Sequence, residues 1–398
     1  MRIEQIRLKN FKTFQNVTVK DIQPFTVLVG ANGSGKSSFF DVFGFLRDCL
    51  RDNVRTALTK RGGFREVITR GHEGESILIE LKLRMPLKIE NTTSERTVTY
   101  FIEIASNKNE ISVAREQLRY TRFGGGQPFR FIDFRDGTGS AINNEAELAK
   151  GGEERREEQS LDSRDILAIK GLGQFQRFEA ASVIRNLIEN WHVSDFHINA
   201  ARASPDAGVA EHLSSEGENL PLVAQFLFEN HRKIFDEILA TMRRRVPGVA
   251  NVEAEQTVDG RIVLRFRDGS FKDPFIARFV SDGTIKMFAY LVLLHDPKPH
   301  PLLCVEEPEN QLYPSLMEDL AEEFQDYASR GGQVFVSTHS PDFLNAVPIK
   351  SLFILSKENG LTIVRKASAF EQIANMVEAG DRLGWLWRQG MFKGVNPQ

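Results

Sequence analysis

Between residues 25 and 46 the chain runs from five apolar-rich positions through Gly30-Ala-Asn-Gly-Ser-Gly-Lys-Ser-Ser38 and into a second apolar stretch. That order specifies a buried strand, a tight glycine loop and a helix, so this part of the chain is committed to an α/β arrangement. Gly30, Gly35, Lys36 and Ser37 fill the fixed positions of G-x-x-x-x-G-K-[ST]. Glycines at 30, 33 and 35 let backbone N–H groups converge on phosphate oxygens, and the N-terminal end of the following helix favours the same anion. The pattern sends Lys36 to the β- and γ-phosphates and the Ser37 hydroxyl to Mg²⁺. Together with Asn32, Gly33, Ser34 and Ser38 these residues form the expected set for binding a nucleotide with Mg²⁺.

Composition narrows the class further. With 398 residues, 41% hydrophobic and 26% charged, the chain is long enough for two or three subdomains with real cores. No apolar run approaches the roughly 18 residues of a membrane span, and Met1-Arg-Ile-Glu reads as a strand rather than a signal peptide. A cytoplasmic protein without membrane contact is expected. Cys49 and Cys304 lie far apart in apolar runs and are expected to be buried thiols. A net charge of −3 carries no global signal for nucleic acid, so any DNA contact must be a local patch.

Ile3, Ile6 and Leu8 open a first strand, and Val17 and Val19 alternate in a second. The opening Ile-Arg-Leu-Lys-Asn-Phe-Lys-Thr-Phe ahead of Gly-Ala-Asn-Gly-Ser-Gly-Lys-Ser resembles the RecF/SMC-type branch of the ABC ATPases. The resemblance implies that Lys12 sits near the phosphates; the alternative is a surface lysine at a strand end. ABC ATPases also carry a γ-phosphate-sensing Gln between P-loop and signature, yet no Gln occurs between Ser38 and Glu116. His72 or Glu73 are substitutes, against the reading of an exposed polar turn.

Residues 76–85, 97–104, 111–120 and 129–134 read as short strands of an antiparallel layer. Residues 145–165, alternating acid and base, are expected to be a solvated, mobile connection. Apolar positions at helical spacing predict helices over 175–191 and 220–242, giving a mixed α/β lobe. SMC proteins carry a coiled-coil arm there, but no sustained heptad occurs. Arg243, Arg244 and Arg245 complement a helix C-terminus; the other reading is a DNA-backbone patch with Arg119, Arg122, Arg130 and Arg135. Residues 252–257 and 261–266 flank Asp259-Gly260 as a hairpin.

The second half of the motif set follows. A small polar loop at 279–284 opens an apolar helix and resembles the ABC signature, which implies that Ser281 and Gly283 cap the γ-phosphate of the other subunit's nucleotide. Leu302-Leu-Cys-Val-Glu-Glu307 looks like a Walker B strand, with Glu306 in the metal-binding Asp position and Glu307 in the catalytic one. His339, after the strand at 333–338, matches the His that contacts the γ-phosphate. Glu-Glu-Pro-Glu and Thr-His-Ser-Pro look most like the compact AAA-type ATPases related to the OLD family. That resemblance implies antiphage defence and control of a nuclease. OLD proteins append a TOPRIM nuclease; here the residues after His339 are expected to complete the ATPase sheet, so the effector would be a separate TOPRIM-type or other nuclease.

The expected architecture is α/β: an ABC-type P-loop ATPase core with an antiparallel β layer and an inserted mixed α/β lobe. Residues 1–70 hold the Walker A part, 71–278 the β layer and lobe, and 279–398 the signature, Walker B and His339. The expected function is ATP hydrolysis by a homodimer, or higher homo-oligomer, with ATP at its interface. The alternatives are a RecF-like DNA-maintenance ATPase binding DNA directly, and a scaffold that binds ATP without turnover.

Overall fold

The computed structural model describes residues 1–89, 92–108, 110–120, 129–144 and 153–392. Two compact units result, one built from Met1–Trp191, Ile349–Glu378 and the residues from Gly390, the other from His192–Pro348 with Ala379–Gln389.

The first unit contains a long antiparallel sheet. Its strands are β1 (Arg2–Phe11), β2 (Phe14–Lys20), β4 (Ile77–Ile89), β5 (Thr92–Asn107), β6 (Glu110–Tyr120), β7 (Phe129–Arg135), β8 (Thr138–Ile142) and β9 (Arg156–Ser160). They lie in the order β2-β1-β4-β5-β6-β7-β8-β9. Period-2 patterning explains the pairing: Ile77, Ile79, Leu81 and Leu83 of β4 are all buried, and their register partners Ile104, Ile102, Tyr100 and Val98 on β5 share that face. Against this sheet packs the helix Lys36–Arg51, with Phe45 on Phe11 and Phe39 on Phe14 at ring separations of 5.7 and 6.2 Å. Strand β3 (Phe25–Val29) is buried at every residue, as a central strand of a parallel arrangement must be. It pairs in parallel with β16 (Leu352–Glu358), which continues antiparallel into β17 (Leu361–Lys366).

The solvated connection expected over 145–165 is corrected in its second part. Residues 145–152 lie outside the described residues, but Arg156–Ser160 is a true strand, antiparallel to β8 with Glu158 opposite Ser140. An edge strand with exposed and half-buried positions in alternation can be made wholly of polar residues, which is why no apolar period marks it.

The second unit carries a parallel trio, β10 (His192–Ser194), β14 (Leu303–Glu306) and β15 (Val334–Thr338), and an antiparallel trio, β11 (Val249–Gln256), β12 (Ile262–Asp268) and β13 (Phe275–Ile276). The hairpin expected around Asp259-Gly260 is present, with Gly260 at φ 82°. Helix Asp282–Leu294 is buried from Ile285 to Leu294. The single helix expected over 220–242 is two, Leu220–Asn230 and Arg232–Arg245, broken at His231 with φ −135°. Asn230 and His231 are weak helix formers, and the apolar period runs on across the break because both helices bury one side. Cys49 and Cys304 are buried thiols that form no disulfide. Among the described residues no helix is long and apolar enough to cross a membrane.

Candidate functional site

Strand β3 leads into the glycine loop without a spare atom of room. A Cβ on Gly30 would stand 2.4 Å from the Leu355 carbonyl oxygen, so β16 itself enforces glycine there. Gly35 sits at φ 107° as the N-cap of helix Lys36–Arg51 with no side-chain cap, and its imagined Cβ would meet the Thr362 hydroxyl at 2.4 Å. A helix start capped by backbone alone leaves its first N–H groups aimed at whatever anion enters the loop. Thr362 pins the loop from behind, donating to the Ser34 carbonyl at 2.8 Å and lying 2.7 Å from the Thr13 hydroxyl. Sequence patterning could not flag Thr13 or Thr362, since neither belongs to the motif.

Lys36 is buried and donates to the carbonyls of Gly30 at 2.9 Å and Ala31 at 3.3 Å, which holds its ammonium inside the curl of the loop. Ser37, Asn32 and Gly33 are exposed, Ser38 half-buried and Ser34 buried. Lys12, at φ 50° in the turn between β1 and β2, makes an ion pair with Asp41 of the loop's helix at 2.7 Å. Asp41 also takes Arg61 at 2.7 Å. Of the two substitutes for the missing Gln, Glu73 accepts from the Gly71 N–H, while His72 lies 2.9 Å from Gln15 and 2.7 Å from Glu75. His72, Asn10 and Lys9 together hold the Glu75 carboxyl down at about 2. Gln15, the partner of His72, lies upstream of the P-loop and so outside the stretch between P-loop and signature.

In the second unit, β14 delivers the acidic pair. Glu307 adopts φ 43°, a left-handed conformation that costs a non-glycine residue about 1–3 kcal/mol and is retained where surroundings over-determine it. Here its N–H donates to the Ser337 carbonyl at 3.0 Å. The carboxylate accepts from Asn310 Nδ2 at 3.1 Å through one oxygen, and its other oxygen lies 3.2 Å from His339 Nε2. Glu309 shapes the opposite strand end, accepting from the Thr338 hydroxyl at 2.9 Å and from the His339 N–H at 2.5 Å. Glu306, half-buried, closes β14 beside Ser337 of β15.

The signature-like loop meets this acidic turn within the same unit. Ser281 is exposed and caps its helix by accepting from the Thr284 N–H. A Cβ on Gly283 would lie 2.9 Å from the Gln311 carbonyl oxygen. Lys286, one turn further, is buried and donates to the Asn310 carbonyl at 2.7 Å. Burial pushes its ammonium down to about 8, partly offset by Glu309 and Glu307. The structure thus brings together Glu307, His339, Glu309, Asn310 and Lys286; the last two were missed because a lysine in an apolar helix and an amide in a turn carry no motif.

The arginine patch is largely spent on local partners. Arg119 pairs with Glu80 at 3.0 Å, Arg130 with Asp133 at 3.2 Å and Arg245 with Glu323 at 3.1 Å, while Arg243 donates to the Ala250 carbonyl. Arg122 lies outside the described residues.

A family model described as "AAA domain, putative AbiEii toxin, Type IV TA system" matches residues 25–345. The "DNA double-strand break repair Rad50 ATPase" of Saccharolobus solfataricus is 32% identical over 120 residues, which is 30% of this chain and 13% of that protein. The chain therefore spans a small part of that relative's length. An SMC head solved with the C-winged helix domain of ScpA superposes with a TM-score of 0.56 at 16% identity, covering 94% of this chain and all of that one. An SMC head with extended coiled coil and the C-terminal domain of ScpA, from Pyrococcus furiosus, reaches 0.50 at 12% identity, over 94% and 99%. The fold is that of the ABC-type, SMC-like ATPase heads.

Proposed function

This chain belongs to the AAA-domain family whose model covers residues 25–345, and from that premise we propose that it is an ATP hydrolase that dimerises around ATP to control a separate effector. The observation that carries hydrolysis is Glu307, held in a strained backbone conformation with its carboxylate between His339 and Asn310. Glu307 orients a water so that its oxygen attacks the γ-phosphorus; the Pγ–O bond to the β-phosphate breaks, ADP leaves, and the water's proton passes to the carboxylate. His339 donates to the γ-phosphate oxygens, and Lys36 with the loop N–H groups holds the β- and γ-phosphates. Ser37 and Glu306 would each offer a hard oxygen donor of the kind Mg²⁺ takes. When bound, Mg²⁺ neutralises charge that develops on the phosphates.

Ser281 and Gly283 act on the nucleotide of the partner subunit, a reading supported by the exposed place of Ser281 at the start of its helix. In these terms residues 1–70 supply the phosphate loop, 71–278 the β layer and lobe that receive the signal, and 279–398 the signature, acidic pair and His339. The family description names a putative toxin of a Type IV TA system; in our reading the chain is a defence switch that acts through another component such as a nuclease. A second reading, a RecF-like ATPase binding DNA directly, is favoured by the stretch shared with a DNA-repair ATPase.

Hydrolysis and binding separate in two variants. Lys36→Ala is expected to abolish tight ATP binding, whereas Glu307→Gln retains binding and loses turnover by about 10²–10⁴-fold, the usual worth of a positioned base. Turnover near the parental rate in Glu307→Gln would refute the assignment. Co-purification of a nuclease with the Glu307→Gln chain, against retention on DNA alone, separates the two readings of its role.

A further inference from the structure

At the other end of β14 from Glu306, three side chains converge that the ATPase reading does not use. Asp296 and His300 belong to the connection between helix Asp282–Leu294 and β14, and His212 to the segment before helix Leu220–Asn230. One ligating atom from each lies within 4.8 Å of the other two. The Asp296 carboxylate is 4% exposed, with Oδ2 on His212 Nδ1 at 2.6 Å and Oδ1 fixed by the Lys298 N–H at 2.8 Å. The main chain at His300 is anchored as well, its carbonyl accepting from the Tyr327 hydroxyl at 3.1 Å. Behind it stands a third imidazole: His192, buried at the start of β10, has its ring centroid 4.8 Å from that of His300. The rings of His212 and His300 are 5.3 Å apart.

A hydrogen-bonded His–Asp pair would need two residues. Here two imidazoles and a buried carboxylate come from separate segments to one point, with a third ring packed against the second. Imidazole and carboxylate are the borderline donors that suit Zn²⁺ and its neighbours rather than Mg²⁺ or Ca²⁺, which favour all-oxygen shells. Bonds of about 2.0–2.1 Å place tetrahedral ligand atoms about 3.4 Å apart, so the widest pair must close by roughly 1.4 Å. His212 is the most exposed of the three and has room to move, and its 2.6 Å hydrogen bond to Asp296 must open toward the same spacing. Lys298, the adjacent cation, is already paired with Glu211 at 3.2 Å. Leu303 and Glu306, the two ends of β14, lie about 10 Å apart at strand rise, which sets this cluster apart from the Glu306 metal position.

We propose that His212, Asp296 and His300 bind one divalent transition-metal ion, Zn²⁺ by donor chemistry, with His192 supporting the His300 ring. Its effect is structural: it ties the entry of the Walker B strand to the segment carrying His212.

The test uses the full chain, stripped with EDTA and free of nucleotide, titrated with Zn²⁺ against a chromogenic chelator and followed by thermal melting. One equivalent is expected to bind and to raise the melting temperature. His212→Gln and His300→Gln are each expected to weaken binding at least tenfold and to cancel the rise, while Lys36→Ala binds as the parent does. His212 lies on an exposed segment, so His212→Gln folds regardless and decides the matter even if His300→Gln does not. No uptake by the parent, or parental affinity in His212→Gln, would overturn the site and mark any bound ion as adventitious.

Discussion

Glu116 on β6 is 1% exposed, and its carboxyl accepts from the Tyr100 hydroxyl at 3.0 Å and from the N–H groups of Ala168 and Ile169 at the start of helix Ala168–Leu172. Burial outweighs these donors and pushes its pKa from 4.5 up to about 7. A raised carboxylate binds its proton more tightly folded than unfolded, so its contribution is fully present below pH 4.5 and is lost as pH rises through 7. The full shift of about 2.5 units corresponds to about 3.4 kcal/mol. At pH 5 about three quarters of the unfolded-state carboxyl has already ionised, so the loss between pH 5 and pH 8 is about 2.5 kcal/mol. Glu116→Gln resembles the protonated acid in shape and cannot titrate. The stability of the variant relative to the parent should therefore rise by that amount from pH 5 to pH 8.

Urea midpoints at the two pH values measure it, read from the fluorescence of Trp191, which is buried in the same unit as Glu116. Replacing Trp385 and Trp387 by Phe in both chains leaves Trp191 as the reporter. Identical pH slopes in parent and variant would refute the argument and mean that Glu116 is ionised throughout.

Three further outcomes are expected. Gly35→Ala, forced to φ 107° and against the pinned Thr362 hydroxyl, should lower the unfolding midpoint and also lower ATP affinity at least tenfold; unchanged affinity would detach this loop from the phosphates. Mixing inactive Lys36→Ala and Ser281→Arg chains should restore about a quarter of parental turnover, because random pairing makes half the dimers mixed and half their sites intact. No recovery, with subunit exchange verified by a tagged pull-down, together with persistent ATP-dependent dimerisation of a Glu307→Gln/Ser281→Arg chain, would remove Ser281 from the interface. Asn310→Ala should lower turnover while leaving ATP binding intact, since it frees one oxygen of Glu307; a loss of binding equal to the loss of turnover would contradict that role.

What could be read from the sequence depended on how local the cause was. The P-loop, the Asp259-Gly260 hairpin and the period-two rhythm of β4 each need only a few consecutive residues in a defined conformation. Their backbone requirements are printed in the residue types themselves. The polar strand β9 escaped notice because an edge strand owes its existence to the ladder offered by β8 and not to its own side chains. The break at His231 left the apolar period intact and so was invisible to it.

The side-chain clusters belong to another category. Asn310 on Glu307, Lys286 beneath the acidic turn, Thr362 behind the glycine loop, Glu116 on a helix start and the histidines around Asp296 all join residues from different segments. By itself the sequence determined the phosphate loop, the acidic strand end and the ABC-type order of its motifs, because those are properties of contiguous backbone. Only the tertiary structure decided which distant polar groups meet and which of them lose water, and burial together with proximity is what turns an ordinary Glu, Lys or His into one with a shifted pKa or a shared ligand.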